Sequence, residues 1–174
     1  MAEEDLLAQR AVGGDAAAFD ALVRLHQGAI RGFLRRLAGN DHALADDLAQ
    51  ETFRTAYRKI QQFVEGSFIS WLYAIAWSRF LMQARRRKLE PLRQDNLPSQ
   101  ELFERGNLAR IDLEKALGHV APAERAAITL CLGLGYAHGE AAAILGLPVG
   151  TLKSRIARGR NKIKALLKES DYGP

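Results

Sequence analysis

Cysteine and histidine, the usual side chains of metal sites, are scarce in this 174-residue chain. It contains one cysteine, Cys131, and four histidines: His26, His42, His119 and His138. One cysteine cannot form an intrachain disulfide, and it cannot supply a cysteine-based zinc cluster within one chain. The histidines show no paired spacing with acidic residues of the kind that metal sites use. The sequence therefore predicts no metal and no cofactor, and Cys131 is expected to be a small core residue.

Long apolar runs and glycine-rich phosphate loops are also missing. No apolar run approaches the length needed to span a membrane, and the first residues lack the basic-then-apolar character of a signal peptide. Cys131 is flanked by apolar residues, which is not the setting of an activated nucleophile. We therefore expect a cytoplasmic protein that is not an enzyme and has no small-molecule substrate.

Basic residues exceed acidic ones, with a formal net charge of +5. The distribution is more informative than the sum, because nine of the 20 acidic residues lie in the first 51 positions. Basic residues form two clusters, one over residues 79–93 and the other over residues 153–168. A polyanionic partner such as a nucleic acid accounts for this pattern.

The stretch from Gly135 to Leu167 has the pattern of a helix-turn-helix. An alanine-rich segment, residues 140–145, favours a short helix, and Gly146-Leu147-Pro148 ends it with turn chemistry. A second helix beginning at Val149 carries apolar residues at helical spacing and basic residues elsewhere. Its apolar stripe is Leu152, Ile156, Ile163, Leu166 and Leu167. A basic amphipathic helix alone is often just a solvated face, but the preceding helix and tight turn favour entry into a DNA groove.

The first half predicts three helical segments. Residues 3–37 read as helix with a break at Gly13-Gly14, where Asp15 can cap a new helix. Residues 42–63 carry one continuous apolar stripe, and residues 64–67 form a loop. The aromatic-rich helix that begins at Phe68 runs directly into Arg85, Arg86 and Arg87. Aromatic rings beside cations suit melted DNA, although the same rings could belong to the core. For Trp71 the core is favoured, whereas Tyr73 and Trp77 remain open.

Residues 91–107 contain Pro91 and Pro98 and lack long helical periodicity, which favours an interdomain linker. The predicted fold is therefore all-α, with two small helical domains joined by a flexible linker. The first domain spans residues 1–90 and the second spans residues 108–170. Pro122 suits the first turn of a helix, with Ala121 as a poor cap before it.

Two motif sets resemble those of the extracytoplasmic-function sigma factors of bacterial RNA polymerase, and the resemblance covers nearly the whole chain. The first set is DDLAQETFRTAYRKIQQF, followed by F-x-x-WLYAIA and a basic run. The second is L-x-x-G-Y-x-x-x-E-A-A-x-x-L-G-L-P-x-G-T-L-K-S-R-I-x-R-G-R. Their order and their separation by a short linker are more specific than either set alone.

The resemblance implies a sigma-2-like domain followed by a sigma-4-like domain. The first would bind the polymerase clamp helices through Asp47, Gln50, Glu51, Arg54 and Arg58. It would also recognise and melt the −10 element through Phe63, Val64, Glu65, Gly66, Ser67, Tyr73, Trp77, Arg79, Arg85, Arg86 and Arg87. The second would read the −35 element through Val149, Gly150, Thr151, Lys153, Ser154, Arg155, Arg158 and Arg160. Implied partners are core polymerase, including its flap, promoter DNA and an anti-sigma factor.

The chain departs from the family pattern within the aromatic helix. Trp77-Ser78 stands where an Arg-Asn pair is usual, and Met82 replaces an acidic residue that is common slightly later. A rival interpretation is a helix-turn-helix transcriptional regulator with a partner-binding N-terminal half. That rival has no need for the DDLAQETF face or for the aromatic and basic helix, so the first half discriminates between the two.

Overall fold

The computed structural model describes residues 3–39, 41–89 and 117–170, and all regular structure within these ranges is helical. This confirms the predicted all-α class. The helices of the first half are α1 (Glu3–Val12), α2 (Ala16–Ala38), α3 (His42–Lys59), a 3-10 turn (Ile60–Gln62) and α4 (Phe68–Leu89). Those of the second half are α5 (Pro122–Ile128), a π-helical turn (Thr129–Gly133), α6 (His138–Leu145) and α7 (Val149–Ser170). The predicted linker and the residue-108 boundary lie outside the described residues.

Contacts group the chain into two units, the first comprising Met1–Leu34 with Ala43–Leu89, and the second Arg35–His42 with Glu90–Pro174. Within the described ranges, no helix is long and apolar enough to cross a membrane. The same residues contain no cluster of three or more histidine, cysteine or acidic side chains able to hold a metal ion.

The predicted break between the first two helices is confirmed at Gly13-Gly14. Gly14 has a φ of +94°, a left-handed conformation that favours glycine. The Asp15 carboxylate accepts a hydrogen bond from the Ala18 main-chain N–H at 3.1 Å, and so caps the start of α2. This hydrogen bond and the pairing with Arg10 lower the pKa of Asp15. The side chains available in this turn thus dictate where α1 ends and α2 begins.

The first unit is built on the apolar stripes of α2, α3 and α4. Leu22, Ile30, Phe33 and Leu34 of α2 are fully buried, as are Ala45 and Ala56 of α3 and Leu72 and Ala76 of α4. A buried hydroxyl is satisfied locally, since Thr52 donates to the Leu48 carbonyl at 2.7 Å. The stripes therefore leave the opposite face of α3 and the loop before α4 available to solvent.

The second unit centres on the packing of α5 and α6 against α7. Pro122 occupies the first turn of α5 after Ala121, which makes no side-chain cap, as expected. Leu152 and Ile156 of α7 are buried, and Ile163 lies in a cluster with Ile128, Val120 and Leu117, against which Leu166 packs. The side chain of Leu167, the last of the predicted stripe, lies outside the described residues.

Arg125 is a buried arginine of the second unit, and its guanidinium donates to main-chain oxygens of the described residues. It donates to Gly118 and Val120 at 3.0 and 2.9 Å, and to Arg36 and Leu37, which group with this unit, at 3.1 and 2.8 Å. Burial lowers the pKa of Arg125. The hydrogen bonds compensate for removing this charge from water.

Candidate functional site

The helix-turn-helix of the second unit is formed by α6, a tight turn and α7. Gly146 adopts the left-handed conformation with a φ of +63°, and the Leu147 N–H donates to the Ala142 carbonyl at 2.9 Å. This is the usual glycine-ended helix C-terminus. At the other end of α6, the Glu140 carboxylate accepts the Ala137 N–H at 2.9 Å, although the Ala137 side chain itself caps nothing. The first turn is thus capped from one side only, in line with the absence of a hydroxyl residue.

One face of α7 is open to solvent along the first three turns of the helix. We call it the recognition face, and it comprises Val149, Gly150, Lys153, Ser154 and Arg160, all of which are exposed. The Ser154 hydroxyl donates to the Thr151 carbonyl at 2.9 Å, which holds it close to the helix. Small residues at the helix start, cations along the helix and a buried apolar stripe behind it suit insertion into a major groove.

Arg155 and Arg158, the two residues expected to make the principal −35 contacts, lie outside the recognition face. Arg155 is half-buried, as is Thr151. Arg158 is exposed, but its Nε lies 3.7 Å from the Glu124 carboxylate on α5. That carboxylate also accepts a hydrogen bond from Lys162 at 2.7 Å. The side of α7 that carries Arg158 therefore faces an acid of its own unit.

Three of the five predicted polymerase-binding residues of α3, Glu51, Arg54 and Arg58, meet at the Glu51 carboxylate. Arg58 donates to Glu51 at 3.1 Å, Arg54 lies 3.6 Å from it, and the Arg79 guanidinium on α4 approaches to 3.9 Å. We call these four residues the Glu51 network. Arg54 also donates to the Gln50 amide oxygen at 3.3 Å, while Asp47 is exposed. The structure thus brings Gln50, Glu51, Arg54 and Arg58 to one surface of α3.

A groove between α2 and α3 adjoins the Glu51 network. Its volume is about 510 Å³. Apolar side chains form its floor and polar ones its rim, with the lining residues Phe19, Asp20, Val23, Gln27, Arg31, Ala49, Gln50, Phe53, Arg54 and Tyr57. The Tyr57 ring packs edge-on against Phe19 at 5.1 Å, yet 54% of the residue remains exposed. We call this feature the α2–α3 groove.

The loop before α4 is held at its base by aromatic packing and leaves its tip free. The Phe63 ring contacts those of Phe68 and Trp71 at 5.3 and 5.4 Å between centroids. Gly66 has a φ of +102°, and the Ser67 hydroxyl accepts the Ser70 N–H at 3.3 Å to cap α4. Val64 is 88% exposed. Phe63 therefore anchors the loop, whereas residues 64–67 are presented to solvent.

Three residues expected to contact melted DNA lie inward. Tyr73 is 2% exposed and packs against Phe33, and Trp77 is 5% exposed and stacks on Phe80. Neither ring has a free face for a base, so the core alternative holds for both in this structure. Arg79 is largely covered and points its guanidinium towards Glu51. Among the α4 cations whose side chains the structure describes, Arg85, Arg86 and Arg87 are exposed.

Sequence reasoning missed two features of these surfaces. The α2–α3 groove was not anticipated, although Phe53 and Tyr57, four residues apart on α3, lie on one helix face and are a detectable signal. The pairing of Glu124 with Arg158 and Lys162 was also missed. Glu124 lies 34 positions before Arg158 and on another helix, so no local sequence pattern was available to indicate this pairing.

Comparison with known protein families gives one match in each half of the chain. The family described as Sigma-70 region 2 matches residues 22–90, and Sigma-70, region 4 matches residues 110–163. The first match contains the Glu51 network, the loop and the α2–α3 groove apart from Phe19 and Asp20, and the second contains the helix-turn-helix through Ile163. These regions define a sigma-70-type transcription initiation factor.

Individual relatives identify the group of sigma factors to which the chain belongs. The sigma factor EcfG of Rhodopseudomonas palustris is 36% identical over 153 residues, covering 83% of this chain and 84% of that protein. SigE of Mycolicibacterium smegmatis is 37% identical over 166 residues, covering 88% of this chain and 64% of that longer protein. The chain belongs to the extracytoplasmic-function (ECF) RNA polymerase sigma factors.

A solved structure agrees with this assignment. The sigma factor RpoE of Bartonella quintana, in complex with the anti-sigma factor NepR, has a TM-score of 0.70 at 33% identity. The match covers 86% of this chain and 96% of that chain.

Proposed function

We propose that this chain acts in the cytoplasm as an alternative sigma factor that binds core RNA polymerase and directs promoter-specific initiation. The observation that carries the proposal is the presence, on one chain, of an exposed recognition face and of a separate unit with a partner groove and a projecting loop. A regulator that binds duplex DNA alone needs only the first of these. We infer no catalytic activity of the chain itself.

Polymerase binding is assigned to the α2–α3 groove together with the exposed side of α3. An apolar floor with a polar rim is the usual anatomy of a surface that accepts a partner helix. The Glu51 network holds Arg54 and Arg58 in defined positions at this surface, because each pairs with the same carboxylate. Exposed ion pairs of this kind contribute at most about 1 kcal/mol each to stability, so orienting the rim is their better explanation.

Recognition of the −10 element is assigned to the loop and the arginines of α4. Val64 offers an apolar contact for an unstacked base, and Glu65, Gly66 and Ser67 beside it are exposed. Arg85, Arg86 and Arg87 supply cations for the phosphates of the opened strand. Phe63 anchors the base of the loop to the start of α4 through its ring contacts with Phe68 and Trp71.

Recognition of the −35 element is assigned to the recognition face. Gly150 and Ser154 permit close approach to base edges, while Lys153 and Arg160 are placed for phosphate contacts. Arg155 and Thr151 are half-buried and are assigned a supporting role.

An anti-sigma factor is the partner proposed to regulate the chain. RpoE, the similar sigma factor, was solved with the anti-sigma factor NepR, which shows that such a fold can be bound in this way. The exposed apolar residues Tyr57 and Val64 lie on the surfaces assigned to polymerase and DNA, so a protein that covers them would prevent both contacts.

Three variants test whether these surfaces have separate roles. Tyr57→Asp places a charge in the α2–α3 groove, and we expect at least a tenfold loss of affinity for core polymerase, equivalent to about 1.4 kcal/mol.

The other two variants test the DNA-binding surfaces. Val64→Ala is expected to change −10 preference across a promoter library, and Lys153→Ala is expected to weaken −35 use. Both variants should retain their affinity for core polymerase. Lys59→Ala, an exposed change at the end of α3, is the matched control. Loss of core binding only in Lys153→Ala would contradict the assignment.

A further inference from the structure

We propose that Glu124 is a positioning residue that holds Arg158 and Lys162 against α5, and so withholds these two cations from DNA. The inference rests on the proposed binding of duplex DNA by the second unit. It assigns opposite roles to cations of one helix. Lys153 and Arg160 meet phosphate, whereas Arg158 and Lys162 secure the orientation of α7.

The first support is the burial of the acid. Glu124 is 7% exposed and lies on α5 among apolar residues of the second unit. One carboxylate oxygen accepts a hydrogen bond from the Lys162 ammonium at 2.7 Å, and the other lies 3.7 Å from the Arg158 Nε. No other hydrogen bond to this carboxylate is formed by the described residues. Taking away either cation therefore leaves a buried charge poorly compensated, which is strongly unfavourable.

The second support is the close approach of the two helices at Gly159. A Cβ atom at this position would lie 2.5 Å from Ile128 Cδ1, 3.3 Å from Glu124 Cβ and 3.4 Å from Val120 Cγ1. Glycine between Arg158 and Arg160 thus lets the α7 backbone come near to α5. This close approach brings the Glu124 carboxylate within reach of Arg158 and Lys162, one turn apart on α7.

The third support is the helical register of α7. At 3.6 residues per turn, Thr151, Arg155, Arg158 and Lys162 fall on one side of the helix. Lys153, Arg160 and Lys164 fall on the other side, where all three are exposed and no contact with an acid is found among the described residues. Unlike Arg158 and Lys162, these three residues can meet phosphate without leaving a buried acid unpaired.

The consequence is a restraint on binding to DNA without regard to sequence. Each phosphate contact adds affinity that is independent of base identity. By occupying two cations, Glu124 lowers this general affinity while leaving the base-facing residues Gly150 and Ser154 unchanged. Sequence preference then depends more on the recognition face.

Amine labelling of the full chain tests the pairing without DNA. Purified protein is treated with an amine-acylating reagent, and each lysine is followed by mass spectrometry. Lys162 is expected to react several-fold more slowly than Lys164, a matched lysine on the opposite side of α7. Glu124→Gln, which keeps the shape of the side chain and removes its charge, should abolish the difference. Equal rates in the unmodified chain would overturn the pairing.

The salt dependence of binding to a mixed-sequence duplex tests the consequence. Arg158→Ala and Lys162→Ala should leave the slope of log K against log salt unchanged, whereas Arg160→Ala should reduce it by about 0.9, the value for one phosphate. Glu124→Gln should raise affinity and steepen the slope, and Glu124→Gln with Lys162→Ala should return it towards the original value.

Failure of the Glu124 inference can be distinguished from failure of the proposed DNA binding by the second unit. A slope reduced by about 0.9 in Lys162→Ala means that this lysine already binds phosphate, and that result would overturn the inference. If no variant binds duplex DNA, the proposed function of the second unit fails, and the labelling experiment still decides the role of Glu124.

Discussion

At the scale of single residues, His26 is a buried titratable side chain of the first unit. It is 7% exposed, its Nε2 lies 3.1 Å from the Glu4 carboxylate of α1, and its ring contacts Phe68. Burial lowers the pKa of His26 below its ordinary value of 6.5, and Glu4 opposes this shift only in part. The unfolded chain therefore binds a proton at a pH where the folded chain does not. Linkage then requires stability to fall as the pH drops below about 6.5.

Replacing His26 should remove this part of the pH dependence. Between pH 7.5 and 5.5, we expect the midpoint of thermal unfolding, followed by circular dichroism, to fall more steeply in the original chain than in His26→Gln. Glu4→Gln should make the fall steeper still, because the lost carboxylate no longer favours the protonated histidine. Parallel curves for all three proteins would show that His26 does not titrate as described.

The residue scale is also where sequence reasoning was weakest. For Tyr73 and Trp77 the core and a DNA-binding face were equally open, because apolar residues occur all round α4 and its periodicity does not single out a buried side. The packing of Tyr73 against Phe33 and of Trp77 against Phe80 shows that both rings belong to the core. Arg158 shows the same limit, since its partner Glu124 is 34 positions earlier and no local pattern joins the two.

At the scale of secondary-structure elements, prediction succeeded where local chemistry sets the boundary. The Gly13-Gly14 break, the Asp15 cap and the Gly146 turn are determined by residues within a few positions, and all three are confirmed. Contacts between helices could not be predicted in this way. Nothing in the sequence around Gly159 indicates that α5 packs against it, and the close approach of α5 and α7 was not predicted.

The contact between α5 and α7 yields a stability prediction. Gly159→Ala improves helix propensity by up to about 1 kcal/mol but inserts a methyl group into a filled space, at a cost of about 1–3 kcal/mol. We expect a net loss of about 1 kcal/mol in the free energy of unfolding, measured by urea denaturation. Adding Ile128→Val removes the Cδ1 atom that lies 2.5 Å from the new Cβ, and should recover most of the loss. A double variant less stable than the sum of the two single changes would contradict this packing.

At the scale of the whole molecule, the tasks proposed for promoter recognition fall to different units. The recognition face is assigned to duplex DNA, and the first unit carries the surfaces assigned to polymerase and to the melted strand. Neither surface needs high affinity alone, because tethering makes the second contact intramolecular once the first has formed. The fold class and the family were predictable from motif order, whereas the α2–α3 groove and the inward placement of Arg79 required the structure.

The most direct test of the central claim is transcription by core RNA polymerase mixed with the purified chain on a library of promoter fragments. We predict formation of a stable complex with core polymerase, together with transcripts from a restricted set of fragments that share −35 and −10 elements. Core polymerase without the chain should give no such selection. Failure to bind core polymerase, combined with tight binding of the free chain to duplex DNA, would contradict the account and favour a helix-turn-helix regulator.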